Sequence, residues 1–143
     1  MPKCMIVLSP YYMDVAGFLL QGCTTFLNQN KIDYDLFEVP GALEIPAAVK
    51  MGIEMRIEDK YDIFVALGCV IRGETSHYDI VCNESARGLS QLMMEYGAHI
   101  GNGILTCDTH QQAIVRADPD QKNKGAAAAD AALSLYQLER QLS

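Results

Sequence analysis

Tyr61-Asp62-Ile63-Phe64-Val65-Ala66-Leu67-Gly68-Cys69-Val70 is apolar at almost every position. A strand with one solvated face alternates apolar and polar residues. A run without that alternation predicts a strand buried on both faces, the situation in parallel sheets covered by helices. Downstream, residues 71–77 form a polar loop and 78–96 a helical pattern that Gly97 is placed to stop. Then follow a strand over 98–105, a short helix over 109–117 and a longer one over 125–142. Upstream, residues 3–9 read as a short buried strand. Residues 12–30 read as a helix with Val15, Leu19, Leu20, Cys23, Phe26 and Leu27 on one face. Residues 33–39 alternate like a strand and end at Pro40-Gly41, and 43–57 is helical in pattern with Glu44 in its first turn. Strands and helices taken in turn predict an α/β fold with a parallel sheet between helical layers.

The 143 residues suit one domain spanning 1–143. Half of them are hydrophobic and 20% are charged, so a substantial core is expected and disorder is not. The net charge of −7, from 18 acidic and 11 basic side chains, argues against nucleic acid or an anionic membrane surface as partner. No apolar run approaches the ~20 residues of a membrane-spanning helix, and residues 1–8 do not read as a signal peptide. Cys4, Cys23, Cys69, Cys82 and Cys107 are odd in number and form no Cys-x-x-Cys, so a disulfide framework or zinc site is not expected. Reduced thiols in a cytoplasmic protein are.

Open parallel sheets bind ligands beyond the carboxyl ends of their strands. The loops to search are therefore 10–14, 40–44, 71–77 and 106–110. Gly73, Thr75 and Ser76 ahead of a helix could cradle an anion with backbone N–H groups and hydroxyls, or serve only as turn residue and N-cap. The Gly-x-x-x-x-Gly-Lys of a P-loop is missing. His77, at the mouth of the same crevice, is a residue type that moves protons near neutral pH; its bland role is a solvated helix-end histidine. His99 and His110 have less support, and His99, at a strand start, reads as structural. Gly41 would admit close approach to the backbone, and Glu44 could accept hydrogen bonds from a polyol or simply complement a helix dipole. Tyr11 and Tyr12 could stack on a planar ring or merely pack. Arg116, Lys122 and Lys124 form a small basic patch, with Arg116 able to clamp a phosphate or to stabilise a helix end.

The stretch Ala66-Leu67-Gly68-Cys69-Val70-Ile71-Arg72-Gly73-Glu74-Thr75-Ser76-His77-Tyr78-Asp79 closely resembles the signature of the lumazine synthase family. Val39-Pro40-Gly41-Ala42-Leu43-Glu44-Ile45-Pro46 resembles its second signature. Gly103-Ile104-Leu105-Thr106, Gln112-Ala113 with Arg116-Ala117, and Asn123-Lys124-Gly125 match three more, in order, within a likeness running from about residue 4 to 140.

The resemblance implies a flavodoxin-like three-layer sandwich with a four-stranded parallel sheet, assembled into pentamers. It implies condensation of 5-amino-6-(D-ribitylamino)uracil with 3,4-dihydroxy-2-butanone 4-phosphate in riboflavin biosynthesis, without cofactor or metal. His77 would be the general acid and base. Tyr11 would stack on the pyrimidine and Val70 and Ile71 would flank the ring, with Cys69 also binding substrate. Leu43 and Glu44 would meet the ribityl chain, with Gly41 and Ala42 also binding substrate. Gly73, Glu74 and Thr75 with Arg116 would hold the phosphate, and Lys124 would lie near it. Asn102 matches a position contributed across the subunit interface, so the active site would be shared between neighbours.

Three positions depart from the family's habit. Tyr11 stands where Phe or Trp is common, Leu43 where Phe is common, and Asn102 where Phe is frequent. The last two lose aromatic surface worth ~1 kcal/mol per contact. Capsid-forming members usually carry glycine in the turn before the last helix. Here that turn is Asp118-Pro119-Asp120-Gln121-Lys122, and Pro2 limits use of the N-terminus as an added strand, which favours a free pentamer over a decamer or capsid. Much of the apolar content is then expected at subunit interfaces, with the alanine-rich last helix suited to close packing. A flavodoxin-like binding or signalling domain is the rival. A receiver-type domain would need acidic residues at the end of the first strand, where Ser9-Pro10-Tyr11-Tyr12 has none.

Overall fold

The computed structural model describes residues 2–55 and 60–143. Its sheet is built from β1 (Lys3–Leu8), β2 (Asp33–Glu38), β3 (Ile63–Ile71) and β4 (Ile100–Cys107). All pairings are parallel and the order is β2-β1-β3-β4. The helices are α1 (Met13–Gln29), α2 (Ile45–Met55), α3 (His77–Tyr96), α4 (His110–Ala117) and α5 (Lys124–Leu142).

Strand alternation divides the core in two. Cys4, Ile6 and Leu8 of β1 and Ile63, Val65, Leu67 and Cys69 of β3 pack with residues of α1, α4 and α5. Met5 and Val7 of β1 and Phe64 and Ala66 of β3 point the other way, onto α2 and α3. The first seven positions of β3 are buried, which is why its sequence shows no alternation. Each fully buried Ile, Leu or Val contributes roughly 1.5–3 kcal/mol, so this strand holds both helical layers to the sheet. The result is the flavodoxin-like three-layer α/β sandwich.

Several boundaries differ from the sequence reading. The helix expected over 43–57 begins as one turn of 3-10 helix, Ala42–Glu44, and α2 proper starts at Ile45. Pro46 lacks an N–H and has a fixed φ, so it belongs in a first turn; the distal end of the expected helix lies outside the described residues. β4 runs over 100–107 rather than 98–105, because β3 extends to Ile71 and pairs it with Cys107. His99 precedes β4. Its Nδ1 lies 3.0 Å from the Asp62 carbonyl oxygen and its Nε2 3.3 Å from the Glu139 carboxylate, the structural role expected for it. Gly97 caps α3 at φ 65°, in the left-handed region where glycine is favoured.

The alanine-rich α5 packs within its own chain. Ala128, Ala129 and Ala132 are buried in the same core cluster as Val15, Leu19 and Cys23 of α1. A Cβ on Gly125 would overlap the Leu19 carbonyl oxygen, and one on Gly101 of β4 would overlap that of Ala128. All five cysteines are unpaired. Among the described residues, no helix is long and apolar enough to cross a membrane, and no three His, Cys, Asp or Glu side chains are grouped to hold a metal ion.

Candidate active site

The strand order reverses between β1 and β3. Such a switch point leaves a crevice, because the two connections leave on opposite faces of the sheet. A cleft of about 430 Å³ lies there, at the carboxyl ends of the strands. The turn after β1 supplies Ser9, Tyr11 and Tyr12, and the segment after β2 supplies Gly41, Ala42, Leu43 and Glu44. The end of β3 supplies Cys69, Val70 and Ile71; the following loop and α3 supply Gly73, Thr75, His77, Tyr78 and Val81.

Hydrogen bonds tie these segments together at the floor. The Ser9 amide donates to the Leu67 carbonyl at 2.9 Å, and its hydroxyl reaches the Pro40 carbonyl at 3.4 Å. Tyr11, 73% exposed, stands edge to face with Tyr12, ring centres 4.9 Å apart. At the β2 end, Glu44 Oε1 lies 3.2 Å from where a Cβ on Gly41 would be. The space over Gly41 is therefore shared with a carboxylate able to accept hydroxyl hydrogen bonds.

The loop after β3 has the opposite character. A Cβ on Gly73 would meet nothing within 4 Å, so a ligand could approach that backbone. The His77 amide donates to Thr75 Oγ1 at 3.3 Å, and Ser76, at the N-cap, makes no side-chain cap bond. The positive end of α3 thus opens onto the cleft beside His77, a suitable place for an anion. Arg72 does not serve that anion. Its Nε is 2.9 Å from Asp108 Oδ1, its Nη1 3.8 Å from Asp79 Oδ1, and its guanidinium lies 4.3 Å from the centre of the Tyr78 ring. It straps the loop to the end of β4, and its charge is already met by two carboxylates.

Burial pushes the Cys69 thiol up to about 12, with Cys107, Asp14 and Cys82 adding to the effect. Cys69 is therefore a neutral wall of the cleft and not a nucleophile. Tyr12 is also shifted upward, chiefly by burial and then by Tyr11 and Cys69.

Six residues nominated from the sequence do not line this cleft: Glu74, Ser76, Asn102, Arg116, Lys122 and Lys124. Asn102 turns its Oδ1 back to the Ile104 amide at 2.9 Å. That bond occupies an N–H of the edge strand β4, which would otherwise offer itself to another chain. Arg116 sits in the last turn of α4, where its Nη1 donates to the Gln112 carbonyl at 3.1 Å. Lys124 opens α5 and is exposed. Among the described residues, no Lys or Arg lines the cleft. Among the described residues of this chain, a phosphate there would meet backbone N–H groups, the α3 terminus and neutral or histidine side chains such as Thr75 and His77.

Sequence reasoning passed over Ser9, Tyr78 and Val81 and weighed Tyr12 only as a stacking or packing ring. Val81 was legible in principle, since it lies four residues after His77 and so on the same helix face.

The family model of 6,7-dimethyl-8-ribityllumazine synthase matches residues 2–140. A protein of that name from Zymomonas mobilis is 48% identical over 143 residues, covering all of both chains. The Agrobacterium fabrum protein of that name is 47% identical, over 99% of this chain and 97% of its own length. The one from Bartonella tribocorum is 46% identical, over 97% of this chain and 91% of its own. A crystallised fragment from Peptoclostridium difficile 630 superposes on 96% of this chain with TM-score 0.52 at 11% identity, a likeness of fold alone. The chain belongs to the 6,7-dimethyl-8-ribityllumazine synthase family.

Proposed function

We propose that this protein condenses 5-amino-6-(D-ribitylamino)uracil with 3,4-dihydroxy-2-butanone 4-phosphate, giving 6,7-dimethyl-8-ribityllumazine, phosphate and water, in riboflavin biosynthesis. The observation that carries this is the switch-point cleft. It sets His77 at the positive end of α3, between an open glycine loop and an aromatic wall, in a chain whose full-length relatives bear that enzyme's name.

The chemistry is imine formation between the pyrimidine amine and the ketone, elimination of phosphate, ring closure and dehydration. Holding two polar substrates in register supplies much of the acceleration, and His77 moves the protons. Tyr11 stacks on the pyrimidine, while Cys69, Val70 and Ile71 flank it. Gly41, Ala42 and Leu43 border the ribityl chain, and Glu44 accepts from its hydroxyls. The backbone of Gly73, Glu74 and Thr75 receives the phosphate. The reaction draws on no metal or cofactor.

A cleft without Lys or Arg among the described residues supports a site completed by a second copy of the chain, in which a neighbour's Arg116, Lys124 and Asn102 approach the substrates. Exposed apolar side chains support assembly: Met94 is 86% and Met13 81% exposed, and Leu36 and Phe37 lie open on edge strand β2. We favour a homopentamer on these grounds and on the glycine-free turn before α5, and a cytoplasmic one on the odd, scattered cysteines.

Mixing the two substrates with the purified protein tests the function. Lumazine absorbance and fluorescence should grow well above the uncatalysed rate; growth at the uncatalysed rate would overturn the proposal. Gly73→Ala should leave the melting temperature unchanged, because its Cβ meets nothing in the chain. It should raise KM for the phosphorylated substrate about tenfold, since a methyl there crowds a bound phosphate. An unchanged KM would move the phosphate elsewhere.

A further inference from the structure

We infer that His110 is a positioning residue which, with Asp14, fixes the ring of Tyr12 and through it Tyr11 as the aromatic wall of the cleft. The inference rests on reading that cleft as the substrate site. His110 opens α4 and Asp14 lies in the first turn of α1, yet His110 Nε2 is 2.7 Å from Asp14 Oδ2. The other Asp14 oxygen, Oδ1, accepts from the Val15 amide at 2.8 Å, so the carboxylate is held on both sides. The His110 hydrogen bond is the main influence holding the Asp14 carboxyl below its usual range.

The imidazole then meets Tyr12 edge on, ring centres 6.1 Å apart at 70°. Tyr12 in turn meets Tyr11 at 4.9 Å and 76°. Both tyrosines line the cleft, whereas His110 and Asp14 do not. Tyr12 also packs against the core cluster shared by α1, α4 and α5, and the edge contact with His110 adds to that hold. Tyr12 is the N-cap of α1 but makes no side-chain cap bond, and Tyr11 is largely exposed. A stacking ring set in place before the substrate arrives avoids an ordering cost on binding. Deleting an exposed pair of this kind changes stability little. Its loss should therefore show in substrate binding and not in the melt.

The test is steady-state kinetics of the intact assembled protein with His110→Ala and His110→Gln. His110→Ala should raise KM for the ribitylaminouracil about fivefold, the scale of one aromatic contact, with kcat and the KM of the phosphorylated substrate unchanged. Glutamine can place a donor near the Nε2 position, so His110→Gln should recover at least half of that loss. The Kd of 6,7-dimethyl-8-ribityllumazine, read from quenching of its own fluorescence, should follow the same order. This equilibrium reading also serves if His110→Ala melts early, by comparing parent with His110→Gln. A parent-like KM in His110→Ala, or equal losses for both substrates with no recovery by glutamine, overturns the inference and leaves the cleft reading intact. A parent protein without condensing activity overturns both.

Discussion

Replacing His77 with alanine should lower kcat about 100-fold or more, with substrate KM values changed far less. His77 is the first residue of α3, exposed at the cleft mouth, and its amide is fixed by Thr75 Oγ1. Imine formation, phosphate elimination and the final dehydration each move a proton, and His77 is the histidine that lines the cleft. Removing it leaves the aromatic wall, the glycine loop and the Glu44 end in place. Orientation of the two substrates therefore survives and sets a residual rate above the uncatalysed one. The uncatalysed condensation must be subtracted before the comparison. A corrected kcat within about threefold of the parent would remove His77 from proton transfer.

Gly125→Ala should cost about 3 kcal/mol or more of stability, the upper range for overpacking a rigid contact. Its Cβ would run into the Leu19 carbonyl oxygen and come within 3.1 Å of the Cys23 amide nitrogen. Both are backbone atoms of α1, so no side chain can turn aside. The helices would have to separate, and Ala128, Ala129 and Ala132 would lose their close packing. Gly22 offers a useful contrast. A Cβ there meets Asn123 Oδ1, a side-chain atom that can rotate and that is buried without a hydrogen-bond partner among the described residues. Gly22→Ala should be the milder change. Denaturation of both variants at one protein concentration checks the order, since assembly shifts apparent stability. Equal losses would show that the α1 to α5 contact yields more easily than its backbone geometry indicates.

The sheet was legible because β3 is buried on both faces, and a strand in that position cannot show alternation. Once β3 was placed, the switch-point rule selected loops 10–14, 40–44 and 71–77, which line the cleft, and 106–110, which does not. The start of α2 was misread because apolar periodicity runs through Leu43 and Ile45 alike, and only Pro46 marks the change from the 3-10 turn. Tyr12 and His110 were undervalued for another reason. Their contact joins the starts of α1 and α4, and no local pattern records a pairing of residues 96 apart for Asp14 and His110. Arg116, Lys124 and Asn102 are a third case. A basic patch in the sequence nominated Arg116 and Lys124 and the family resemblance nominated Asn102, yet none of the three lines the cleft of its own chain; on the proposed function each serves a neighbour's cleft, which one chain's spacing does not record.

The most direct test of a site built from two chains is the activity of mixed assemblies. His77→Ala and Arg116→Ala chains should each be nearly inactive alone. Co-expressed in equal amounts, they should recover about a quarter of the parent activity, because about one cleft in four would pair an intact His77 with a neighbour's intact Arg116. Mixed assemblies no more active than the average of the two variants would contradict a shared site.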